Sequence, residues 1–142
     1  MAESRVALDI EIPSDVSYID GVVELAAKRC HELHIPSSKC TLNVRVALAE
    51  ALSNAILRVN GDNGGPGKPV RVRAIVSDDA LVFDIVDQGP GFDIEAARSD
   101  PTTAENLLKE DGRGLFLMHR LMDRVERFHA DGNVVRLTLI RQ

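Results

Sequence analysis

The chain has 142 residues, 44% of them hydrophobic and 27% charged, a profile typical of one globular domain with an ordinary core. Its formal net charge of -5 argues against a dedicated nucleic-acid binder, whose contact surface would be basic. Without an apolar run of about 18 residues or a recognisable signal peptide, we expect a single cytoplasmic domain over residues 1–142, with no membrane contact.

The first half of the chain predicts one strand and two helices. Apolar and polar residues alternate from Arg5 to Ile12, the pattern of a half-buried strand, and Pro13 ends it. Ser14 is predicted to cap the next helix, which has apolar residues at helical spacing as far as Cys30. A second helix begins after Ser37-Ser38 and is apolar nearly all round, so we expect it to be the most buried helix.

Two hairpins and a third helix are predicted in the second half. The hairpin strands cover residues 70–76 with 81–86, and 125–129 with 134–140. A polar loop, 89–112, and a helix, about 114–124, lie between the hairpins; a loop of this length is typical of a functional lid. The order of elements predicts an α+β fold, a two-layer sandwich whose mixed, mostly antiparallel sheet has helices on one face.

The two cysteines, Cys30 and Cys40, each lie in or next to a helical stretch. A free cysteine in such a place often behaves as a small buried hydrophobic residue. We therefore expect two buried thiols, and neither a disulfide nor a zinc site.

The second helix carries two polar residues that need partners. Glu50 and Asn54 are four residues apart, so their side chains project from one face of the helix. Burying a carboxylate and a carboxamide is costly unless something pairs with them, and a hydrated Mg²⁺ ion is bound by such oxygen ligands. Alternatively, both residues lie at the edge of the helix and meet water or a loop amide.

Two glycine-containing segments follow. In Asp87-Gln88-Gly89-Pro90-Gly91, the glycines allow a ligand to approach the backbone, and Asp87 can accept a hydrogen bond from an exocyclic amine. Gly112-Arg113-Gly114 precedes a helix that begins with Leu115, and a helix N-terminus with free N–H groups favours an anion such as phosphate. Taken alone, the first segment is also typical of a strand-ending turn and the second of a capped helix.

Together the three segments resemble the GHKL (Bergerat-fold) ATPases. Glu50 to Asn54 matches the N box of that family, Asp87-x-Gly89-x-Gly91 its first glycine box and Gly112-x-Gly114 its second. Thr138, on the last predicted strand, matches a threonine that family members place beside the adenine. The resemblance covers residues 10–141 and implies a histidine-kinase-like ATPase domain with a long ATP lid.

Within that superfamily the sequence resembles the stand-alone anti-sigma-factor kinases of the RsbW and SpoIIAB type. Residues 101–118 are similar to their lid and second glycine box, and the chain length leaves no room for the extra domains of other members. One departure is Leu57-Arg58, where these kinases often have a histidine or an acidic residue. The glycine-rich run 61–67 is also longer than expected, which leaves the surface for a partner open.

The resemblance implies a role for each residue. Glu50 acts as the general base, Asn54 coordinates Mg²⁺ and Asp87 selects adenine. Gly89, Gly91 and Thr138 shape the adenine end of the site, while Gly112, Arg113 and Gly114, next to Leu115, hold the phosphates. The cofactors implied are therefore ATP and Mg²⁺.

The resemblance also implies a function, namely a serine/threonine protein kinase that phosphorylates an anti-anti-sigma partner with a STAS domain. A sigma factor is implied as a second, competing partner, and the kinase is expected to be a homodimer. Two other functions stay open, a non-catalytic ATP-binding regulator of the partner switch and an ATPase with water as acceptor. Glu50 beside Asn54 favours the kinase, because a binding protein needs the metal ligand but no base.

Overall fold

The computed structural model describes residues 4–60, 67–89 and 110–141, and of residues 110–114 only the backbone. In these residues it has five strands and three α-helices. In chain order they are β1 (Arg5–Ile12), α1 (Ile19–Glu32), α2 (Arg45–Asn60), β2 (Val70–Val76), β3 (Ala80–Asp87), α3 (Glu110–Leu121), β4 (Arg124–His129) and β5 (Asn133–Ile140).

The strands form one sheet in the order β1-β2-β3-β5-β4, and every described pair is antiparallel. The predicted α+β sandwich is therefore confirmed, with a sheet that is fully antiparallel over its described strands. Both predicted hairpins are present. The β3–β5 pairing matters most for the site because it sets Asp87, at the end of β3, opposite Asn133, at the start of β5.

Strand alternation divides the sheet into two faces. The residues that face the helices are buried and mostly apolar, and on β3 they are Leu81, Phe83, Ile85 and Asp87. The other face has half-exposed and charged residues, among them Asp84 and Arg136. A buried polar residue therefore appears on the core face of β3 only where the strand ends.

The start of α1 differs from the prediction that Ser14 caps it. Asp15 caps instead, because its side chain accepts a hydrogen bond from the Ser17 backbone N (2.9 Å) and begins a short 3₁₀ turn, Val16–Tyr18, which leads into the helix. Ser14 is buried, and its carbonyl accepts a hydrogen bond from the Asn60 side chain (2.9 Å). This bond fixes the end of α2 to the chain that enters α1.

Helix α2 is the continuation of a π-helical segment, Lys39–Val44, and its buried side is almost entirely apolar. The chain between α1 and this segment turns at Leu33-His34, where His34 has a positive φ of 61°, and brings Cys40 back against the end of α1. There Cys40 forms a disulfide with Cys30, with Cα atoms 5.6 Å apart. The expectation of two free thiols was wrong, because each cysteine was considered only within its own helix.

Helix α3 begins at Glu110, about four residues before the predicted start, and ends at Leu121 rather than at residue 124. The second glycine box is thus part of the first turns of the helix and not a loop before it. The Asn43 side chain donates a hydrogen bond to the carbonyl of Leu121 (2.8 Å), so the end of α3 meets the start of α2. Since the two helices pack along their lengths, they run antiparallel, and the glycine box lies toward the middle of α2.

Candidate active site

Asp87 is the buried polar centre of the site, with no exposed surface. Its Oδ1 accepts hydrogen bonds from the side-chain nitrogen of Asn133 (2.9 Å) and the backbone N of Gly89 (3.0 Å). Its Oδ2 accepts two from Arg58, from Nε (3.1 Å) and from a terminal nitrogen (2.7 Å). Each oxygen thus accepts two hydrogen bonds, which matches the capacity of a carboxylate.

Arg58 connects this centre to the helix that contains the N box. Glu50, Asn54 and Arg58 follow one another at intervals of four residues, so they lie along one stripe of α2. Each is partly buried, and the Arg58 side chain is 16% exposed. Because Arg58 reaches Asp87, this stripe faces the end of β3. The structure therefore places the C-terminal end of the N-box helix next to Asp87 and Gly89, the described part of the first glycine box.

Asn133 is a site residue that the sequence analysis missed. It is 3% exposed, and besides Asp87 its side chain donates to the carbonyl of Gly89 (3.1 Å). In the sequence it is the end of a turn, Asp131-Gly132-Asn133, and asparagine is common in turns. The signal that could have identified Asn133 is its place in the predicted hairpin, since an asparagine at the first position of a central strand is unusual.

Gly132 packs against the same strand end. Its φ of +125° lies in the region that favours glycine, and a Cβ there would be 2.7 Å from the carbonyl oxygen of Asp87. Next to it, Gln88 donates from its side chain to the carbonyl of Asp131 (2.7 Å). The turn between β4 and β5 is thus fixed against the first glycine box.

Gly89 is required by the close approach of α2. A Cβ at this position would lie 3.0 Å from the carbonyl oxygen of Arg58 and 3.1 Å from the Cα of Val59. A side chain there would push the end of α2 away from β3. The glycine therefore sets the distance between the two elements that carry the candidate residues.

Thr138 is not brought to Asp87, although the resemblance placed it beside the adenine. The pairing of β5 with β3 runs without interruption from Asp87↔Asn133 to Ala80↔Ile140, and Thr138 is opposite Val82. Thr138 lies five positions after Asn133, an odd number, so the two side chains point to opposite faces of the sheet. Asn133, and not Thr138, is the β5 residue that lies opposite Asp87.

The second glycine box, which the resemblance assigns to the phosphates, lies at the start of α3. The backbone of Gly112, Arg113 and Gly114 lies in the first turns of α3, where the helix dipole favours an anion. Leu115, directly after them, is half-buried and packs against the core. Gly91 and nearly all of the predicted lid lie outside the described residues.

The residues present fit a nucleotide with its metal ion. Asn54 offers a carboxamide oxygen, a ligand that Mg²⁺ accepts, and it is half-buried one turn before Arg58. Asp87 offers a carboxylate at the base of the site, and the N-terminal end of α3 offers backbone N–H groups. Among the described residues there is no cluster of three or more histidine, cysteine, aspartate or glutamate side chains suited to a metal. A metal ion that Asn54 and the phosphates of a nucleotide held together would not need such a cluster.

Comparison with known proteins shows the family to which this chain belongs. The model of the histidine kinase-like ATPase domain family matches residues 12–139. The fold is also similar to the solved structure of the RsbU and RsbW domains of a Mycobacterium tuberculosis protein, with a TM-score of 0.66, 16% identity and 95% of this chain covered. The chain spans about a third (32%) of that protein's length, and at this identity the likeness concerns the fold alone. The chain belongs to the histidine kinase-like ATPase domain family.

Two similar proteins indicate the class of protein within that family. The chain is 30% identical over 144 residues to the serine-protein kinase RsbW of Bacillus velezensis and 29% identical over 143 residues to that of Bacillus pumilus. Each comparison covers 97% of this chain and 88% of the relative. The predicted resemblance to anti-sigma-factor serine kinases is thereby confirmed. In the described part of the chain, no helix is both long and apolar enough to cross a membrane.

Proposed function

We propose that the protein is a serine/threonine kinase that binds Mg²⁺-ATP and phosphorylates an anti-anti-sigma partner with a STAS domain. The observation that carries the proposal is the contact between Arg58 and Asp87 (2.7 Å), because it aligns the Glu50–Asn54 stripe of α2 with the end of β3. The similarity to serine-protein kinases along nearly the whole chain supports the same reaction.

The two ends of the nucleotide are assigned to different elements. Asp87, with Gly89 and Gly91 close to it in the chain, receives the adenine. The start of α3, which contains Gly112, Arg113 and Gly114, receives the phosphates through the free backbone N–H groups of its first turn and the charge of the arginine. Asn54 lies on α2 between these two ends and holds Mg²⁺, which, when bound, neutralises charge on the phosphates.

Glu50 is assigned the role of general base. It lies one turn from Asn54 on the same stripe, so its carboxylate is adjacent to the metal ligand. As general base it accepts the proton of the serine or threonine hydroxyl while that oxygen attacks the terminal phosphorus in line, and the bond from that phosphorus to the departing ADP breaks. Phosphoryl transfer depends mainly on positioning and electrostatic stabilisation, so one base and one metal ligand suffice.

The proposed partners follow from the class of kinase. A STAS-domain protein is the phosphate acceptor, and a sigma factor competes with it for the kinase, which acts in the cytoplasm as a homodimer. Phosphorylation adds negative charge to the acceptor, and repulsion from acidic groups of this chain, whose net charge is -5, favours its release. The released kinase is then available to the sigma factor.

The first experiment measures Mg²⁺-ATP binding and transfer of labelled phosphate to a candidate STAS-domain protein. Glu50→Ala is expected to bind ATP and to lower the transfer rate by about 10²- to 10⁴-fold, since it lacks the base. Asn54→Ala is expected to lose Mg²⁺-dependent ATP binding. Glu11→Ala, at an exposed acidic residue on β1, is the matched control and should retain full activity.

The outcomes separate the candidate functions. Binding of ATP without transfer to any acceptor would indicate a nucleotide-dependent binding regulator, and release of free phosphate at a comparable rate would indicate an ATPase. Absence of ATP binding in the wild type would contradict the proposal altogether.

A further inference from the structure

The Arg58 guanidinium donates two hydrogen bonds to Oδ2 of Asp87, from Nε (3.1 Å) and from a terminal nitrogen (2.7 Å). We propose that Arg58 is an internal occupant of the adenine end of the site, so that the nucleotide base and Arg58 compete for Oδ2 of Asp87. The proposal rests on the proposed function, since it assumes that Asp87 receives the base. It adds a residue, Arg58, that sets the affinity for the nucleotide and the choice of base.

The hydrogen-bond inventory of Asp87 leads to this competition. Both oxygens already accept two hydrogen bonds each, from Asn133 and Gly89 on Oδ1 and from Arg58 on Oδ2. A further donor, such as the exocyclic amine of adenine, has no free lone pair. Binding of the base therefore requires that one of the present donors leave.

Arg58 is the donor that can leave at least cost. The backbone N of Gly89 is fixed by the close approach of α2, and Asn133 is 3% exposed and also bonded to the carbonyl of Gly89. The Arg58 side chain is 16% exposed, and its Nε bond of 3.1 Å is longer than its terminal bond of 2.7 Å. Because the Arg58 side chain is long and more exposed than that of Asn133, it can exchange Asp87 for solvent, whereas the backbone N of Gly89 cannot rotate away.

This exchange also selects the base. Only a donor can replace Arg58 on Oδ2, so a purine with an amine at position 6 gains the hydrogen bond that Arg58 gives up. A purine with a carbonyl at position 6 would place an acceptor against the carboxylate and leave Arg58 undisplaced. ATP is therefore expected to bind, and ITP, which differs from it at that position, to bind weakly.

The test measures the dissociation constants of Mg²⁺-ATP and Mg²⁺-ITP by isothermal titration calorimetry on the wild type and three variants. Arg58→Gln removes the charge and Arg58→Lys keeps it with a single contact, so at least one of the two preserves a partner for Asp87. Arg136→Gln is the matched control, because Arg136 forms a similar two-bonded pair with Asp84 on the other face of the same strand (2.8 and 2.9 Å). Thermal unfolding verifies that each variant is folded.

If Arg58 competes with the base, Arg58→Gln binds ATP about tenfold more tightly than the wild type, because the fraction of molecules with a free acceptor rises. Arg58→Lys gains less, Arg136→Gln is unchanged, and ITP stays weak throughout. Unchanged or weaker ATP binding in both folded Arg58 variants would overturn the proposal. So would a wild-type preference for ITP, since Arg58 would then remain in place and donate to the base. If neither nucleotide binds the wild type or any variant, the proposed function itself fails. Equal ATP affinities of the wild type and the Arg58 variants would contradict only the role of Arg58.

Discussion

Strand β3 has two aspartate–arginine pairs that differ in their surroundings. Asp87 and Arg58 meet on the helix side, with side chains 0% and 16% exposed, while Asp84 and Arg136 meet on the outer side, with side chains 16% and 40% exposed. The arginine in both pairs donates from Nε and from a terminal nitrogen. The two pairs consist of the same residue types, but they differ in solvent access. They therefore differ in the free energy that each contributes to folding.

The outer pair belongs to a row of charges across the whole sheet. Strand register places Asp9, Arg73, Asp84, Arg136 and Glu126 opposite one another in turn, with alternating sign. Asp84 raises the pKa of Arg136 through their hydrogen bond, and the Phe128 ring lies 5.0 Å from that guanidinium. Such a row favours the register of the strands, whereas the inner pair joins the helix layer to the sheet.

The largest difference between the two pairs should appear in stability. Arg58→Met leaves the buried Asp87 without its charge partner and is expected to lower the free energy of unfolding by about 3–5 kcal/mol. Arg136→Met removes the outer partner, and because that pair is partly solvated the expected loss is only about 0–1 kcal/mol. Urea denaturation of both variants measures the two values, and equal losses would contradict the distinction.

The Cys30–Cys40 disulfide tests whether the inner pair depends on the rest of the helical layer. The bond closes a loop with a sequence separation of 10, for which chain entropy predicts a contribution of about 2–3 kcal/mol. A reductant should therefore lower the free energy of unfolding of the wild type by that amount and leave a Cys30→Ala/Cys40→Ala variant unaffected.

In Arg58→Met the loss on reduction should be the same within about 0.5 kcal/mol, because the two sites lie at opposite ends of α2. A markedly smaller loss would indicate that the inner pair and the disulfide stabilise one common arrangement of the helices.

A side chain at Gly89 tests how firmly the close approach of α2 to the end of β3 is maintained. Gly89→Ala places a methyl group 3.0 Å from the carbonyl of Arg58 and is expected to cost about 1–3 kcal/mol, with weaker nucleotide binding. The matched control is Gly21→Ala in α1, where nothing lies within 4 Å of the added Cβ. That variant should gain up to about 1 kcal/mol from helix propensity. Denaturation curves of both variants measure the difference, and a neutral Gly89→Ala would show that α2 and β3 can separate freely.

The smallest effect is expected at the edge of the outer face. The Arg71 guanidinium, which bonds both oxygens of Asp9, lowers the pKa of that carboxyl below its ordinary value of 3.8. The pair therefore contributes above about pH 3.8, and its contribution is lost as the pH falls through the lowered pKa. Asp9→Asn should slightly flatten the fall of stability below pH 4 and leave neutral stability nearly unchanged. Acid unfolding curves compare the two proteins, and a large loss at pH 7 would contradict this expectation.

Local patterns predicted most of the elements in this chain. The alternation in Arg5–Ile12 and in the two hairpins identified all five strands, since a half-buried strand repeats with period two. The second helix was correctly expected to be heavily buried. Its Glu50 and Asn54 were recognised because four-residue spacing is a property of any helix. Their assignment to base and metal ligand, like the nucleotide contacts of Gly112 to Gly114, stays a prediction.

The sequence by itself determined the class of fold and the family, because the boxes of that family are short contiguous segments whose order the chain preserves. Only the tertiary structure decided what surrounds Asp87. Arg58 is 29 residues away from it and Asn133 is 46, so no local pattern relates them. The register of β5 against β3 decides that Asn133, and not Thr138, lies opposite Asp87. The return of the chain after α1 decides that Cys40 meets Cys30. Contacts between distant residues arise from packing, and packing is a property of the whole chain.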